Sequence, residues 1–414
     1  MPQQPEPVRP LSPTRSLRPH RHPVRPAAAA ALAALLLAAA ATACTPGPRS
    51  GADPGTPHPD RTTAAGARPQ ARGFTLVASG DVLPHDSIIA DARRDSGGTG
   101  YDFAPMLSGV KPVVSRADLA LCHMETVYGA AGDYSGYPSF KSPPEVARAL
   151  RDTGYDSCST ASNHTLDDGA AGITRTLDAL DRAGVRHAGT ARSAEEARGT
   201  GFLRAGTARV AHLSYTYGTN DIPVPQGAPW SVNLLDPGRI IGDARAARRA
   251  GADVVLVSVH WGTEWQDAPD AQQLRLAGQL TAARSHGRPD IDLLLGTHAH
   301  IPQAYEKVNG TWVVYGMGDQ IAGDMVNDRN EHDPRGNQGS IARFTFAPPT
   351  ERGARWRVTK AEFIPQWFDT ASGRVVDLNR AIGNGNTFLT PVRDRIRSIV
   401  LSRGAAKYGL RMGS

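Results

Sequence analysis

Ile291-Asp-Leu-Leu-Leu-Gly-Thr-His-Ala-His300 decides how the rest of the chain is read. An apolar run ends at a glycine, and two histidines follow with one alanine between them. A run this short and this rich in branched side chains predicts a buried strand rather than a helix. Polar groups gathered beyond the carboxyl ends of strands mark where open α/β sheets place ligands. The pattern recurs: Phe74-Thr-Leu-Val-Ala78 precedes Gly80-Asp81, Asp118-Leu-Ala-Leu-Cys122 precedes His123-Met124-Glu125, and Val254-Val-Leu-Val257 precedes His260. Asn163-His164 adds a second paired motif. The economical reading is one divalent-metal site assembled from the ends of several strands.

Between these runs, Glu145 to Arg151, Thr174 to Ala183, Pro237 to Arg249 and Ala271 to Ser285 carry helical patterning, so the expected body is α/β with helices layered on sheet. Val185 to Gly189 and Ala208 to Leu213 fit short strands on either side of a turn, and Thr311 to Tyr315 fits a strand after the Asn309-Gly310 turn. A chain of 414 residues is long enough to bury a full core.

The amino terminus has a different logic. Arg9, Arg15, Arg18, Arg21 and Arg25 lead into the Ala/Leu run Ala27 to Ala43, which stops at Cys44. Basic, apolar and small residues in that order predict an export signal over residues 1–44, and Cys44 makes it resemble a bacterial lipoprotein signal with lipid attached to that cysteine. The mature protein is then expected on the outer face of the cytoplasmic membrane. Removing five arginines and Glu6 lowers the formal charge from +6 to +2. A basic balance is therefore no argument for nucleic acid, and there is no concentrated basic and aromatic stripe to revive one.

Residues 45–72, rich in Pro, Gly and Thr, read as a flexible stalk. Residues 73–370 are expected to form one metal-dependent domain, with 371–414 as an extension that docks on it or stays partly mobile. Cys122 and Cys158 can form a disulfide if their strands are neighbours; otherwise they are two buried thiols.

The ordered motifs Gly80-Asp81-Val82, Met124-Glu125, Ser162-Asn163-His164-Thr165-Leu166-Asp167, His260-Trp261-Gly262-Thr263-Glu264, Gly296-Thr297-His298-Ala299-His300 and Tyr315-Gly316-Met317-Gly318-Asp319 resemble those of the CapA family. That family is associated with capsule and poly-γ-glutamate synthesis and belongs to the calcineurin-like metallophosphoesterase superfamily. The resemblance covers roughly residues 72–350 and implies a four-layer αββα sandwich. Two departures stand out. The superfamily's opening Asp-x-His is Asp81-Val82-Leu83 here, with His85 close by as a substitute, and the family's Asn-Leu-Glu appears as His123-Met124-Glu125.

The residue types agree with a metal site. Carboxylate oxygen with neutral imidazole nitrogen suits one or two ions of Mn, Fe or Zn and disfavours Ca and Mg. The expected ligands are Asp81, Glu125, Asn163, His260, His298 and His300. By the resemblance Glu125 bridges two ions. His260 and His298 complete the one near Asn163, and His300 reaches the one near Asp81. In a strand-like stretch His298 and His300 point the same way. His164 is expected to act as the acid. His85, His123, Glu264 and Glu306 are further ligands or orienting groups, and Trp261, Trp265, Gln303 and Tyr305 are read as substrate-groove wall.

The leading expectation is an exported metal-dependent hydrolase or transferase acting on an anionic cell-envelope polymer or its precursor, alongside polymer synthesis machinery. The alternative is a non-catalytic, metal-containing polymer-binding or assembly protein.

Overall fold

The computed structural model describes residues 72–351 and 353–414. The export segment, Cys44 and the stalk up to residue 71 lie outside the described residues.

Two sheets organise the body. The first has nine strands. Its main path runs Arg374–Asp377, Arg357–Asp369, Gln338–Ala347, Phe74–Val82, Leu119–Met124, Ser157–Ser159 and Arg186–Ala188. Asp319–Ile321 also pairs with Phe74–Val82, and Leu410–Met412 pairs with Arg357–Asp369. The second has six strands in the order Tyr305–Val308, Thr311–Val314, Leu293–Thr297, Val254–His260, Ala208–Thr216 and Phe202–Ala205. The strands that carry the site motifs run parallel to one another in the centre of each sheet, Phe74–Val82 meeting Gln338–Ala347 antiparallel on its other side. Parallel strands are buried on both faces, which is why these segments read as continuous apolar runs rather than alternating ones.

Side-chain alternation sorts the core into three layers of contact. On one face of the first sheet, Val77, Ala120 and Cys122 meet Ile88, Val146, Leu150, Ile173 and Leu177 from the helices Asp86–Asp95, Glu145–Thr153 and Gly169–Ala183. On its other face, Leu76, Ala78, Leu119 and Leu121 meet Val210, Leu256, Leu293 and Leu295 of the second sheet. Beyond that sheet, Val255, Val257 and Leu294 meet Ile240, Ala244, Leu276 and Leu280 of the helices Pro237–Arg249 and Ala271–Ala282. The result is helix, sheet, sheet, helix: the four-layer αββα sandwich. The carboxyl-terminal helix Thr390–Val400 adds Ile396 and Val400 to the core between the sheets.

One expectation about connectivity is corrected. Val185 to Gly189 and Ala208 to Leu213 do not flank a shared turn, because Arg186–Ala188 ends the first sheet and Ala208–Thr216 belongs to the second. The hairpin is instead Phe202–Ala205 with Ala208–Thr216, turning at Gly206 with φ +58. Glycine adopts that left-handed backbone without steric cost.

Cys122 and Cys158 sit directly opposite one another on adjacent strands, 4.4 Å apart at Cα, and form a disulfide on the helix-facing side of the first sheet. Their neighbours His123 and Ser159 consequently face the other sheet.

A bulge in the first strand aims Asp81. Ala78 is opposite Leu121, but Asp81 is opposite His123, so three steps on one strand match two on the other. The extra residue reverses the alternation and turns Asp81 to the same side as His123. Gly80 is required there, since a Cβ would lie 1.6 Å from the Gly318 carbonyl oxygen.

Candidate metal centre

The strand ends of both sheets converge on one buried cluster. Asp81 accepts the His298 backbone N–H at Oδ2, 3.1 Å away, while its Oδ1 lies 3.7 Å from His123 Nε2. Glu125 follows the second strand and places Oε1 3.7 Å from His260 Nε2. Asn163 Oδ1 is 2.8 Å from that same nitrogen. His300 Nδ1 is 3.0 Å from Asp319 Oδ1 and 4.0 Å from Asp81 Oδ2. Three overlapping donor sets result, in each of which the ligand atoms lie within 4.8 Å of one another: Asp81, His123, Glu125 and His260; Glu125, His298 and His300; and Asp81, His300 and Asp319.

His298 and His300 reach the cluster by a route other than the one expected. The strand ends at Thr297, and both histidines have left-handed backbone, φ 95 and φ 59. It is this turn, rather than strand alternation, that brings both rings in, 6.0 Å apart. Such backbone is costly for a residue with a side chain and is typical of functional sites.

The electrostatics of the cluster call for a cation. Asp81 Oδ1, both carboxylate oxygens of Glu125, Asp319 Oδ2, His123 Nε2 and His298 Nδ1 are buried without any hydrogen-bond partner among the described residues. Leaving such atoms unpaired is expensive, all the more for carboxylates. Burial raises Asp81 well above the usual carboxylate range, with Asp319 adding to the effect, and raises Glu125 likewise, with Asp81 adding. Burial also pushes Asp319 up to about 6. Among the imidazoles, burial pushes His123 down to about 3 and holds His260 and His298 well below the ordinary value. His300 goes the other way: burial opposes its charge, but Asp319 and Glu125 together hold it well above the ordinary value. One favoured imidazolium does not balance three buried carboxylates. A divalent ion does, and the donor atoms are of the types that bind one.

His164 is held differently. Its Nδ1 is 2.7 Å from Asp167 Oδ2, and Asp167 also accepts the Phe140 N–H at 2.7 Å. The carboxylate thereby fixes ring orientation and favours the proton on Nδ1, leaving Nε2 for exchange. Tyr217 packs against His298 with ring centres 4.5 Å apart and planes tilted by 40°, and Asn220 accepts from Asn163 Nδ2 at 3.2 Å. Tyr217 also opens one end of a recess of about 580 Å³ lined by residues through Val224 and by Leu234.

Several expected site residues lie elsewhere. Trp261 is fully buried under the outer helices and donates Nε1–H to the Tyr315 carbonyl at 2.9 Å. Tyr305 is fully buried between the sheets, its hydroxyl 3.0 Å from Ser340 Oγ. Gln303 donates to the Gln266 carbonyl and accepts from Gln273. Glu306 takes the Tyr315 hydroxyl and Arg403. None of the four forms a groove or joins a donor set. Alternation explains Trp261: it follows the inward-facing His260 and must point the other way. Trp265 does adjoin the centre, 6.1 Å from His300, and Glu264 Oε1 lies 3.9 Å from Nε2 of both His298 and His300 with its side chain 41% exposed. His85 stands edge-on to Phe140 at 4.9 Å and belongs to no donor set. Asp319 and Asp167 were not singled out as site residues, although Gly318-Asp319 repeats the Gly80-Asp81 pairing after an apolar run.

Residues 75–324 match the family described as bacterial capsule synthesis protein PGA_cap. The fold and the site define a four-layer αββα protein with a buried cluster of metal-ligand side chains at its strand ends. Within that class the chain belongs to the PGA_cap family, to which the CapA resemblance pointed. It is 28% identical over 219 residues to the "Probable polyglutamine synthesis accessory protein" of Mycobacterium tuberculosis, covering 50% of this chain and 56% of the relative. It is 25% identical over 184 residues to the capsule biosynthesis protein CapA of Bacillus anthracis, covering 43% of this chain and 42% of that one. The chain thus spans about half the length of the curated relatives it matches. The calcineurin-like phosphoesterase YfkN from Bacillus subtilis overlays 78% of this chain and 99% of its own at 16% identity, with a TM-score of 0.43.

Proposed function

We propose that this protein is an exported metal-dependent hydrolase or transferase whose substrate is an anionic cell-envelope polymer, such as poly-γ-glutamate, or a capsule precursor. The observation that carries the metal dependence is the convergence of unpartnered buried oxygens and nitrogens from Asp81, His123, Glu125, His298 and Asp319 on one cluster. With the imidazoles of His260 and His300 and the amide oxygen of Asn163, they form a set suited to Mn, Fe or Zn. A bound divalent ion supplies the positive charge that activates a nucleophilic water and stabilises negative charge on the attacked phosphorus or carbonyl centre.

The chain's own residues supply the rest. Asp167 holds His164 with Nδ1–H engaged, so Nε2 is the nitrogen that takes up the proton released by the attacking water and passes it to the leaving group. Tyr217 covers His298 on the side of the recess lined by residues 217–224, which gives a polymer segment a place to lie beside the centre. The family description and the capsule and polyglutamine relatives support the polymer class.

Export with lipid on Cys44 and residence on the outer membrane face belong to the same proposal. The Cys122–Cys158 disulfide supports it, because such bonds persist in oxidising compartments. Among the described residues no helix is long and apolar enough to cross a membrane.

The test is to incubate metal-replete protein with poly-γ-glutamate, envelope glycopolymers and simple phosphodiesters, reading products by mass spectrometry. Product formation that stops on chelation, and that His164→Ala slows by roughly 10² to 10⁴ while retaining metal, is the expected result. Retention of polymer with no product from any substrate would overturn catalysis in favour of a binding or assembly role.

A further inference from the structure

We propose that His123 supplies, from the neighbouring strand, the imidazole that Asp81-Val82-Leu83 lacks, closing a buried four-donor ion pocket with Asp81, Glu125 and His260 that is separate from a more open set made by Glu125, His298 and His300. The inference rests on the metal-dependent reading above and assigns its inner site.

Register places the ring. Asp81 and His123 are direct partners across adjacent parallel strands, and the bulge before Asp81 turns both side chains to the same face. His123 in turn pairs with Ser159 on the next strand. The Ser159 hydroxyl donates to the Cys122 carbonyl at 3.3 Å, which spends its only proton. In the proposed site its 2.7 Å contact with His123 has Nδ1–H donating and Ser159 Oγ accepting. A neutral imidazole protonated on Nδ1 has its lone pair on Nε2.

That lone pair meets another acceptor. Nε2 lies 3.7 Å from Asp81 Oδ1, and neither atom has a hydrogen-bond partner. Two acceptors cannot satisfy each other, and among the described residues no donor stands between them. A cation satisfies both. Both Glu125 oxygens are unpartnered as well, and His260 stacks on His123 with ring centres 4.7 Å apart and planes 25° from parallel. Two carboxylates and two imidazoles within 4.8 Å of each other make a tetradentate set of the kind that holds borderline ions such as Zn or Fe.

The two sets differ in enclosure. All four inner residues are at most 1% exposed. His298 and His300, 3% and 5% exposed, adjoin Glu264, whose side chain is 41% exposed, and His298 also meets the partly exposed ring of Tyr217. Closed sets retain ions, whereas sets with an open position admit water and substrate. His85, nearer to Asp81 in sequence, packs against Phe140 and shares no donor set.

The experiment strips the full-length protein with chelator, then titrates Co²⁺ or Zn²⁺ by calorimetry and follows the visible absorption of the cobalt form, with bound metal counted by elemental analysis after gel filtration. Wild type should show a tight class and a weaker one. His123→Asn should abolish the tight class or weaken it by more than 100-fold and change the cobalt spectrum, with near-ultraviolet circular dichroism confirming the fold. Ser159→Ala, which spares every ligand, should weaken the tight class by roughly 10- to 100-fold, the scale for an orienting partner of a ligating histidine. His85→Asn should leave both classes as in wild type. Unchanged tight binding in folded His123→Asn, or in Ser159→Ala should the first variant not fold, overturns the assignment; so does loss of the tight class in His85→Asn. Wild type that takes up no metal overturns the metal-dependent reading itself, a different result from any of these.

Discussion

Lowering the pH should loosen the seam between the two sheets through a single histidine, His212. It lies on Ala208–Thr216 and faces the first sheet. Its Nδ1 is 3.1 Å from Ser157 Oγ on that sheet, and its Nε2 is 2.9 Å from Ser258 Oγ on its own. Burial lowers its pKa from 6.5 to about 4. The folded value is thus below the unfolded one, so between the two the unfolded chain binds the extra proton and stability rises with pH. The contribution is fully present above about pH 6.5, is lost as pH falls toward 4, and changes no further below that. A fall from 6.5 to about 4, at about 1.36 kcal/mol per pH unit, amounts to about 3 kcal/mol. The perturbation is His212→Gln, which keeps a polar side chain but does not titrate. Urea unfolding of chelated wild type and variant at matched pH from 7.5 to 4 isolates the effect, because the other titrating groups are common to both. The stability of wild type relative to the variant should fall by about 3 kcal/mol across that range. A difference that stays constant within about 0.5 kcal/mol would refute the reasoning.

Three further outcomes follow from the architecture. Gly80→Ala would press a Cβ to 1.6 Å from the Gly318 carbonyl oxygen, so it should destabilise by about 3 kcal/mol or more and displace Asp81, read as a lower unfolding midpoint together with reduced metal content. Replacing both Cys122 and Cys158 with serine, which opens a loop of sequence separation 36, should cost about 3 kcal/mol in denaturant unfolding; an unchanged midpoint would show that the bond does not form. Cys44→Ser should release the protein from the membrane fraction or leave its export segment uncleaved, checked by fractionation and intact mass, whereas a processed variant that stays on the membrane would count against lipid attachment.

The fold was legible because its central strands are parallel and buried on both faces, which leaves short branched apolar runs ending in polar motifs. In the structure Asp81, Glu125 and His260 stand at the ends of those runs, and His298 and His300 on the turn just beyond one. What the runs could not convey was direction. Trp261 and Tyr305 are the right distance along the chain from His260 and His300, yet alternation and the turn after Thr297 send them into core layers. The bulge that re-aims Asp81 has no signature beyond Gly80, and the strain at His298 and His300 has none at all. Asp319 was hidden for another reason: it reaches Asp81 by pairing across the sheet with a strand more than two hundred residues earlier, a contact only the assembled sheet reveals.

The central claim, that this buried cluster exists to hold divalent metal, is tested most directly at Glu125, whose two oxygens are both unpartnered and which belongs to two of the three donor sets. Elemental analysis of protein purified without chelator should find stoichiometric Mn, Fe or Zn in wild type and sharply less in Glu125→Gln, with the unfolding midpoint of wild type, but not of the variant, falling when chelator is added. A wild-type protein that is folded, free of metal and indifferent to both chelator and added ions would contradict the account.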